Sequence, residues 1–370
     1  MLRKPCCLSA LLLSSFLLHS QPLLPKPLKL AVAGMTHGHV DRILERPDKG
    51  DIRIVGIYEP RQEVVDRYAK EYAFRRDLVF SDLEQMLDSV KPEAVTAFGS
   101  TYDHLKVVQA CAPLGIHVMV EKPLAVSLEH ALRIEALAKK HSIHVLTNYE
   151  TTWYPSSAAV YELVLEQRVT GPIRKIVVHD GHSGPNEIHV NEEFLEWLTD
   201  PIRNGGGALM DFGCYGANLV TWLMQGAEPL TVTTITQTIK PEIYKSVEDE
   251  ATIVLRYPQA QAIIQASWNW PFNRKDIEIY GRIGYVHALD GRRLRVRKEK
   301  ESEERVQVLD DARAPVRDPF AYLASVVRGE VKQISTNELS SLGNNLVVMK
   351  ILEAAKRSAR SGQTVELTGH

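Results

Sequence analysis

The chain has 370 residues, of which 44% are hydrophobic and 24% are charged, and its formal net charge is -2. This size and composition are typical of a globular protein with two packed domains. The small net charge gives no electrostatic basis for binding nucleic acid, so we expect no such partner. After the first thirty residues, no apolar run is long enough to cross a membrane.

The amino terminus predicts an export signal. Arg3 and Lys4 supply positive charge, residues 8–18 form an apolar stretch of signal-peptide length, and Ser20 is a small residue at a cleavage point. We therefore expect residues 1–20 to be removed and the protein to be periplasmic or secreted, with no stable membrane insertion after cleavage. The alternatives are a membrane anchor or a misassigned start codon, and the latter would make the protein cytoplasmic.

Residues 21–27 contain three prolines and predict an extended linker before the first domain. Cleavage of the signal would leave Cys111 and Cys214. Two cysteines are too few for a disulfide framework, although one bridge stays open as a possibility. Stability must then come from an apolar core.

Between residues 28 and 148, short β-rich runs alternate with amphipathic stretches. This pattern predicts a Rossmann domain with a doubly wound parallel sheet. Ser81 and Glu84 have the spacing of a capping box, which predicts that a helix begins after Ser81. The candidate strands are residues 30–33, 52–58, 94–98, 116–120 and 144–146.

The turn after the first strand predicts a dinucleotide site. Gly34 permits a tight turn and the close approach of a pyrophosphate to a helix amino terminus. Thr36 and His39 stand where the second and third glycines of the usual fingerprint fall, so the fingerprint is broken, and Gly38 offers backbone freedom one residue early. Glu59 ends the second strand, where a carboxylate binds ribose hydroxyls and repels a 2'-phosphate, so NAD is expected rather than NADP.

Arg61 weakens this preference for NAD, because its positive charge follows Glu59 closely. His37 and His39 have the spacing of a chelating pair, but a catalytic zinc normally takes three protein ligands and no third one is evident nearby. We therefore predict no metal site and expect one of these histidines to contact cofactor or substrate. His104 is expected at a helix start near the cofactor.

The tripeptide Glu121-Lys122-Pro123 ends the strand at 116–120. Because ligands of open α/β sheets bind at the carboxyl ends of the strands, Lys122 is expected to project into the cofactor crevice. Together with the segments above, the run from Ala110 to Ala125 resembles the glucose-fructose oxidoreductase, inositol dehydrogenase and MocA (Gfo/Idh/MocA) family. The predicted cofactor contacts are Gly34, Thr36, His37, Gly38, Glu59, Gly99, His104, Glu121 and Lys122.

The sequence departs from the family pattern at the glycine fingerprint and at Gly99, where the family often has threonine. The resemblance implies that residues 149–370 form a substrate and oligomerisation domain with an open, mostly antiparallel sheet. An uncovered sheet face invites pairing of subunits, so we expect a homodimer or homotetramer. A final helix at 337–359 would close the fold. The candidate strands of this domain are 173–179, 230–236, 251–257, 262–267 and 275–280.

Three residues, Lys122, Asp211 and Tyr215, are predicted to carry the chemistry. Oxidation of a carbinol by hydride transfer requires removal of its hydroxyl proton. Lys122 would stabilise the developing alkoxide, and Tyr215 would pass the proton if the ammonium lowers its pKa. Asp211 lies four residues before Tyr215, so on a helix that opens after Gly207 the two side chains share a face.

The predicted substrate site draws on three further regions. Two aromatic residues follow the last Rossmann strand, a histidine lies in a glycine-containing loop, and an arginine ends a segment that mixes aromatic and polar side chains. Trp197, Trp268 and Trp270 could equally be core residues. The predicted substrate contacts are Tyr149, Trp153, His182, Asp211, Tyr215 and Arg274.

These features together predict an NAD-dependent oxidoreductase acting on a CH–OH group of a sugar, a polyol or a related carbohydrate. Export favours a tightly bound NAD that is regenerated within each cycle. One alternative is an NAD-dependent glycosidase or lyase that oxidises, eliminates and reduces, with His182 serving the elimination. A second alternative is a non-catalytic NAD or sugar sensor, which would keep Gly34 and Glu59 without needing Lys122.

Overall fold

The computed structural model describes residues 26–310, 318–331 and 335–367. The predicted export signal and most of the predicted linker lie outside these ranges. Among the described residues, no helix is both long and apolar enough to cross a membrane.

The first domain contains a six-stranded parallel sheet. Its strands are β1 (Leu28–Ala33), β2 (Ile52–Tyr58), β3 (Val79–Phe80), β4 (Ala94–Ala97), β5 (His117–Glu121) and β6 (Val145–Asn148). Their order across the sheet is β3-β2-β1-β4-β5-β6. The strand order reverses between β1 and β4, which is where doubly wound sheets bind dinucleotides. The predicted Rossmann class is confirmed, and β3, only two residues long, was not predicted.

The helices of this domain are α1 (Asp41–Leu44), α2 (Gln62–Tyr72), α3 (Leu83–Val90), α4 (Asp103–Cys111) and α5 (Leu128–His141). The predicted capping box at Ser81 is wrong. Asp82 is the N-cap of α3, because its backbone is extended and its carboxylate accepts a 2.8 Å hydrogen bond from the Gln85 amide. An aspartate caps a helix as well as a serine does, so its position one residue later decides where α3 begins.

The second domain contains a nine-stranded sheet. Its strands are β7 (Ile173–Gly181), β8 (Thr231–Gln237), β9 (Glu250–Arg256), β10 (Gln261–Ser267), β11 (Arg274–Gly281), β12 (Gly284–Ala288), β13 (Arg293–Lys298), β14 (Arg305–Val308) and β15 (Val365–Glu366). They lie in the order β14-β13-β12-β11-β7-β10-β9-β8-β15. All neighbours are antiparallel except β7 and β10, so the predicted mostly antiparallel sheet is confirmed.

Helices cover one face of this sheet and join it to the first domain. They are α6 (Pro155–Tyr161), α7 (Glu192–Leu198), α8 (Ala208–Asp211), α9 (Gly213–Leu223), α10 (Pro319–Val327) and α11 (Leu342–Ser361). Every residue of α9 is buried. α11 packs against β8 and α9 and also against α5 and β6, so it closes the fold against both domains.

Two details of the carboxyl-terminal part differ from expectation. The last helix begins at residue 342 rather than 337, because Ser341 caps it by accepting a hydrogen bond from the Asn344 amide at 3.2 Å. α10 returns to the first domain, where Phe320 and Leu323 are buried in the core cluster of β1 and β2. The boundary at residue 149 stays a prediction.

Contacts between the domains fix the edge of the first sheet where β1, β4 and β5 end. The Tyr102 amide donates to the Arg203 carbonyl at 2.9 Å. The Trp197 indole nitrogen donates to Thr36 Oγ1 at 3.1 Å. Cys111 and Cys214 are both buried and free, so no disulfide joins them.

Candidate active site

Two cavities open at the carboxyl ends of the parallel strands. The Glu59 cavity, of about 340 Å³, is lined by residues that include Gly34, Thr36, Glu59, Arg61 and Gly99. The Lys122 cavity, of about 370 Å³, is lined by residues that include His37, Gly38, His39, Lys122, His182, Asp211, Tyr215 and Lys275. Gly34 and Thr36 of the turn after β1 line the first cavity and the next three residues line the second, which places the two cavities side by side.

Backbone proximity makes glycine necessary at the start of the Glu59 cavity. Gly34 has a φ of +82°, and a Cβ atom there would lie 2.8 Å from the Gly99 nitrogen. The ends of β1 and β4 thus approach each other with no side chain between them. Gly34 thus allows the tight turn that the first glycine provides at the switch point of a doubly wound sheet.

The Glu59 carboxylate is buried and held by the backbone. Its Oε2 accepts from the Met35 amide at 2.8 Å and its Oε1 from the Arg61 amide at 3.1 Å. Burial raises the pKa of Glu59 above its ordinary value. Arg61 Nε lies 3.7 Å from Glu59 Oε1. A ribose hydroxyl therefore meets a fixed acceptor here, and a positive charge lies beside it.

Lys122 follows β5 directly and is 6% exposed. Its ammonium group binds the Asp211 carboxylate and donates to the Asp211 carbonyl at 3.2 Å. Burial by itself would lower the pKa of Lys122, but the Asp211 charge outweighs it and holds the pKa above the ordinary value. Burial would likewise raise the pKa of Asp211, yet the Lys122 ammonium holds it below the ordinary value. Both groups are therefore charged near neutral pH.

A second contact fixes Asp211 from the sheet side. Its Oδ2 accepts a hydrogen bond from the Trp268 indole nitrogen at 2.9 Å, and Trp268 is fully buried at the end of β10. Trp268, for which the sequence left a core role open, is thus both a core residue and a hydrogen-bond partner of Asp211. The carboxylate is held at one oxygen by a charge and at the other by a neutral donor.

The helix that carries Asp211 starts where expected but is interrupted. A Cβ atom at Gly207 would lie 1.9 Å from the Glu248 carbonyl oxygen, so only glycine fits, and Glu248 Oε1 accepts from the Gly207 amide at 2.8 Å. The prediction of one continuous helix through Tyr215 is wrong, because α8 ends at Asp211 and α9 begins after Phe212. Asp211 and Tyr215 nevertheless line the same cavity.

The Tyr215 ring lies between two ammonium groups. Lys122 Nζ is 5.2 Å and Lys275 Nζ is 4.9 Å from the ring centroid, and Tyr149 packs edge-on at 5.3 Å. Burial raises the pKa of Tyr215 well above its ordinary value. The expected lowering of this pKa by Lys122 is therefore wrong, because the ammonium is paired with Asp211 and lies over the ring face.

His182 enters the Lys122 cavity from the end of β7. Its Nδ1 accepts a 2.9 Å hydrogen bond from the Gly184 amide, so in the neutral ring the proton is on Nε2. Burial lowers the pKa of His182 to about 4. His182 therefore offers the cavity an N–H donor, and this tautomer gives no support to its use as an elimination base.

A chain of hydrogen bonds runs behind the cavity. Trp153 Nε1 donates to Asn148 Oδ1 at 2.8 Å, and Asn148 Nδ2 donates to Glu121 Oε1 at 2.6 Å. Glu121 Oε2 lies 3.0 Å from His39 Nδ1 and 3.9 Å from His37 Nε2. Glu121 is thus buried behind the turn that follows β1, in contact with one of its histidines.

Glu121 is the third potential metal ligand that was not evident from the sequence. One ligand atom each from His37, His39 and Glu121 lie within 4.8 Å of one another. However, His37 Nδ1 accepts from the His39 amide at 3.1 Å, which leaves the proton of neutral His37 on Nε2, the nitrogen that faces Glu121. This hydrogen bonding disfavours a metal ion at Nε2, and the absence of a metal site stays a prediction.

Five predicted site residues do not line either cavity, and Glu121, described above, is one of them. His104 is buried under the Leu124 carbonyl at 3.3 Å, and Tyr149 is buried against Tyr215. Trp153 supports Asn148. Arg274 lies on the other face of β11, where its guanidinium binds Asp276 and stacks over the Trp270 ring at 4.5 Å.

Lys275 is a charged cavity residue that sequence reasoning missed. Its Nζ lies 2.5 Å from Glu150 Oε2, and Arg42 lies 3.0 Å from the same oxygen. Strand alternation could have identified it. Lys275 lies on the same face of β11 as the buried Ile277, whereas Arg274 lies on the opposite face. Lys275 and Arg42 are thus both paired with Glu150.

Known proteins share both domains of this chain. Residues 28–149 match the model of an oxidoreductase family with an NAD-binding Rossmann fold, and residues 159–287 match the GFO/IDH/MocA C-terminal domain. D-xylose 1-dehydrogenase [NADP(+)] of Haloarcula marismortui is 21% identical over 350 residues, covering 92% of this chain and 93% of that enzyme.

Two further comparisons agree in fold or family. Human trans-1,2-dihydrobenzene-1,2-diol dehydrogenase is 26% identical over 192 residues, covering 51% of this chain and 53% of that enzyme. The crystal structure of an inositol dehydrogenase homologue from Azotobacter vinelandii complexed with NAD+ has a TM-score of 0.80 at 16% identity, covering 92% of this chain and 97% of that one.

A doubly wound domain with a glycine-lined crevice, joined to a second domain whose helix α8 supplies the Asp211 partner of Lys122, defines a two-domain NAD(P)-binding oxidoreductase. The chain belongs to the Gfo/Idh/MocA family, as the match of both its domains shows. The predicted resemblance is confirmed.

Proposed function

We propose that the protein is an NAD-dependent oxidoreductase that acts on a CH–OH group of a sugar, a polyol or a related carbohydrate. The observation that carries this proposal is the Lys122–Asp211 pair, buried in a cavity that adjoins the Glu59 cavity. A positive charge is thereby fixed where a hydroxyl oxygen would become negative.

The residues of the Glu59 cavity fit a dinucleotide. Gly34 and Gly99 line this cavity with backbone alone, which the pyrophosphate would approach, and Glu59 would hold the ribose hydroxyls. When bound, the nicotinamide supplies a hydride acceptor or donor. Lys122 holds its charge against the substrate oxygen, Asp211 fixes the position of that charge, and His182 donates from Nε2 to a neighbouring hydroxyl.

The balance of charge supports a neutral polyhydroxy substrate. Lys122 is paired with Asp211, and Lys275 with Glu150, so the cavity presents no unpaired cation for an acidic substrate among these residues. Polar donors and aromatic rings line it together, as in sites that bind hydroxyls and C–H faces. Xylose dehydrogenase, the relative named above, acts on a sugar.

NAD rather than NADP is the cofactor we propose, on the strength of the fixed Glu59 carboxylate. Arg61 and the NADP-dependence in the name of the xylose dehydrogenase argue for the opposite choice. Glu59→Gln removes the repulsion of a 2'-phosphate, and the ratio of the Kd for NADP to that for NAD should fall about tenfold or more. An unchanged ratio would contradict a selective role for Glu59. Arg328→Ala, away from this cavity, is the control.

Lys122→Ala tests the oxidoreductase against the sensor. The purified wild type should reduce NAD with a member of a panel of sugars, polyols and glycosides, and Lys122→Ala should lose at least a hundredfold in turnover while it still binds NAD. Lys350→Ala, which breaks a pair with Glu228 that lines neither cavity, should keep its turnover. If Lys122→Ala matched the wild type, the sensor would be favoured.

We further propose that the protein is exported and retains its NAD through each cycle. The support is the sequence of residues 1–20 and the absence of an assured NAD pool outside the cytoplasm. The mass of the mature protein recovered from a periplasmic or culture fraction, and the absorbance of cofactor that copurifies, test this. Product analysis on glycosides distinguishes the alternatives: a keto sugar alone would contradict oxidation followed by elimination.

A further inference from the structure

We propose that the group that takes the hydroxyl proton in the Lys122 cavity is Nε2 of His39, oriented by Glu121, and not the phenol of Tyr215. This inference rests on the proposed oxidoreductase function. His39 would be a catalytic base, and Glu121 a positioning residue that acts through it.

The hydrogen-bond chain behind the cavity fixes the tautomer of His39. An indole nitrogen can only donate, so Trp153 identifies the oxygen of the Asn148 amide, and the amide nitrogen of Asn148 must donate to Glu121. A carboxylate can only accept. His39 Nδ1, at 3.0 Å from the second Glu121 oxygen, therefore carries the ring proton, and Nε2 carries the lone pair.

The two histidines of the turn differ in how far their side chains are exposed. The His39 side chain is 23% exposed and lines the cavity together with Lys122 and Asp211. The His37 side chain is only 2% exposed, its ring packs 4.5 Å from that of Phe194, and its Nδ1 accepts from the His39 amide. His37 thus holds the shape of the turn, and His39 presents the free nitrogen.

The proton transfer balances with this arrangement. As the carbinol carbon gives its hydride to the oxidised dinucleotide, the O–H bond breaks and an Nε2–H bond forms on His39. The resulting imidazolium donates from Nδ1 to Glu121, whose negative charge stabilises it. Lys122 stabilises the substrate oxygen until the carbonyl has formed, and the reverse reaction returns the proton from His39.

The electrostatic surroundings keep the His39 ring neutral before the reaction, so its lone pair on Nε2 is free. Burial, followed by the charge of Arg42, lowers the pKa of His39 well below its ordinary value. The other charges that act on it are the ammonium groups of Lys122 and Lys275 and the carboxylate of Glu150, besides Glu121. Tyr215, by contrast, has its pKa raised, so it would have to give up its own proton before it could act as a base.

The first measurement needs no turnover. Nitrogen NMR of histidine-labelled protein should show His39 as the Nδ1–H tautomer, and Glu121→Gln should change this tautomer, because glutamine can donate as well as accept. His141, in the last turn of α5 and outside the site, serves as the reference resonance. An Nε2–H tautomer of His39 in the wild type overturns the proposal.

The second measurement uses the substrate found for the wild type. His39→Gln keeps a donor toward Glu121 but cannot take a proton, and turnover should fall about a hundredfold or more with the Kd of NAD unchanged. Added imidazole should restore part of the turnover of His39→Ala and none of that of Lys122→Ala. Tyr215→Phe should lose less than His39→Gln, and His141→Ala should lose nothing.

The outcomes distinguish this inference from the function on which it rests. If the wild type reduces NAD with a carbohydrate and His39→Gln turns over like the wild type, the base is wrong and the oxidoreductase stands. If Tyr215→Phe abolishes turnover while His39→Gln does not, Tyr215 is the base. If the wild type, loaded with NAD, acts on no carbohydrate, the proposed function fails and this role fails with it.

Discussion

Lys122 and Asp211 form a buried ion pair, and the loss of one partner from such a pair is strongly destabilising. Each group would lose most of its hydration on burial, and the partner charge offsets that loss only while both are present. Trp268 adds a donor to the carboxylate and so helps to hold the pair in one geometry. The position of the Lys122 charge in the cavity therefore depends on a residue that does not touch the cavity.

Trp268→Phe should test this dependence. Phenylalanine keeps most of the apolar packing but removes the donor to Asp211, and a hydrogen bond to a charged group contributes about 1.5–3 kcal/mol. We expect kcat to fall about tenfold or more with the Kd of NAD unchanged. Trp222→Phe is the matched control, because Trp222 is buried in α9 and stacks on Tyr161. Equal effects of the two substitutions would contradict a positioning role.

Asp180 is a buried carboxyl group with no partner. It lies on β7 opposite Lys275 of β11, but Lys275 turns to Glu150 instead. Neither Asp180 oxygen has a hydrogen-bond partner among the described residues. Burial raises the pKa of Asp180 well above its ordinary value, so the folded state keeps its proton where the unfolded state loses it.

Asp180→Asn should therefore change how stability depends on pH. Above the ordinary pKa of 3.8, the unfolded state binds fewer protons at this site than the folded state, so wild-type stability falls by up to about 1.4 kcal/mol per pH unit. Asp180→Asn has no ionisable group at this position, so its stability does not fall with pH for this reason. In urea unfolding, its free energy of unfolding relative to the wild type should rise between pH 4 and pH 7. A constant difference would show that Asp180 is ionised in both states.

At the scale of elements, the start of α3 shows how one residue sets a boundary. Ser81 and Asp82 are adjacent and both are good caps, so the sequence pattern alone does not choose between them. The Asp82 backbone is extended, and its carboxylate meets the Gln85 amide. Which of the two residues caps α3 depends on how the chain enters the helix from β3, and β3 is too short to predict.

Matched alanine substitutions measure this boundary. Asp82→Ala should lower the free energy of unfolding by about 1 kcal/mol, because an amide in the first turn of α3 loses its acceptor. Ser81→Ala should change it by less than about 0.5 kcal/mol, since Ser81 is exposed and caps nothing. Thermal or urea unfolding gives both values. A larger loss from Ser81→Ala would mean that the capping box forms in solution.

Sequence patterns predicted the elements of the site better than their partners. The strand before Lys122 and the helix after Gly207 follow from local signals, namely a β-rich run and a cluster of glycines. The break at Phe212 and the Glu121–His39 contact depend on packing between segments far apart in the chain. Spacing alone could not show that a third polar group lies behind the two histidines.

At the scale of the whole molecule, no helix among the described residues packs on one face of the second sheet. Alternation places Val177 and His179 of β7 and Ile263 of β10 on this open face, opposite the buried side chains that meet α9. At its two ends Ile235 is 73% and Val308 is 75% exposed. An uncovered sheet face that carries exposed apolar side chains is typical of a surface that another protein chain covers.

We propose that this open face joins two copies of the chain into a homodimer or homotetramer. Ile235→Lys puts a charge where the second copy would bury an apolar side chain, which costs several kcal/mol at an interface. Light scattering should give a dimer or tetramer mass for the wild type and a smaller mass for Ile235→Lys at micromolar concentration. Ile202→Lys, at a position 71% exposed but outside the sheet, should keep the wild-type mass. A monomeric wild type, or equal masses for all three proteins, would rule out this interface.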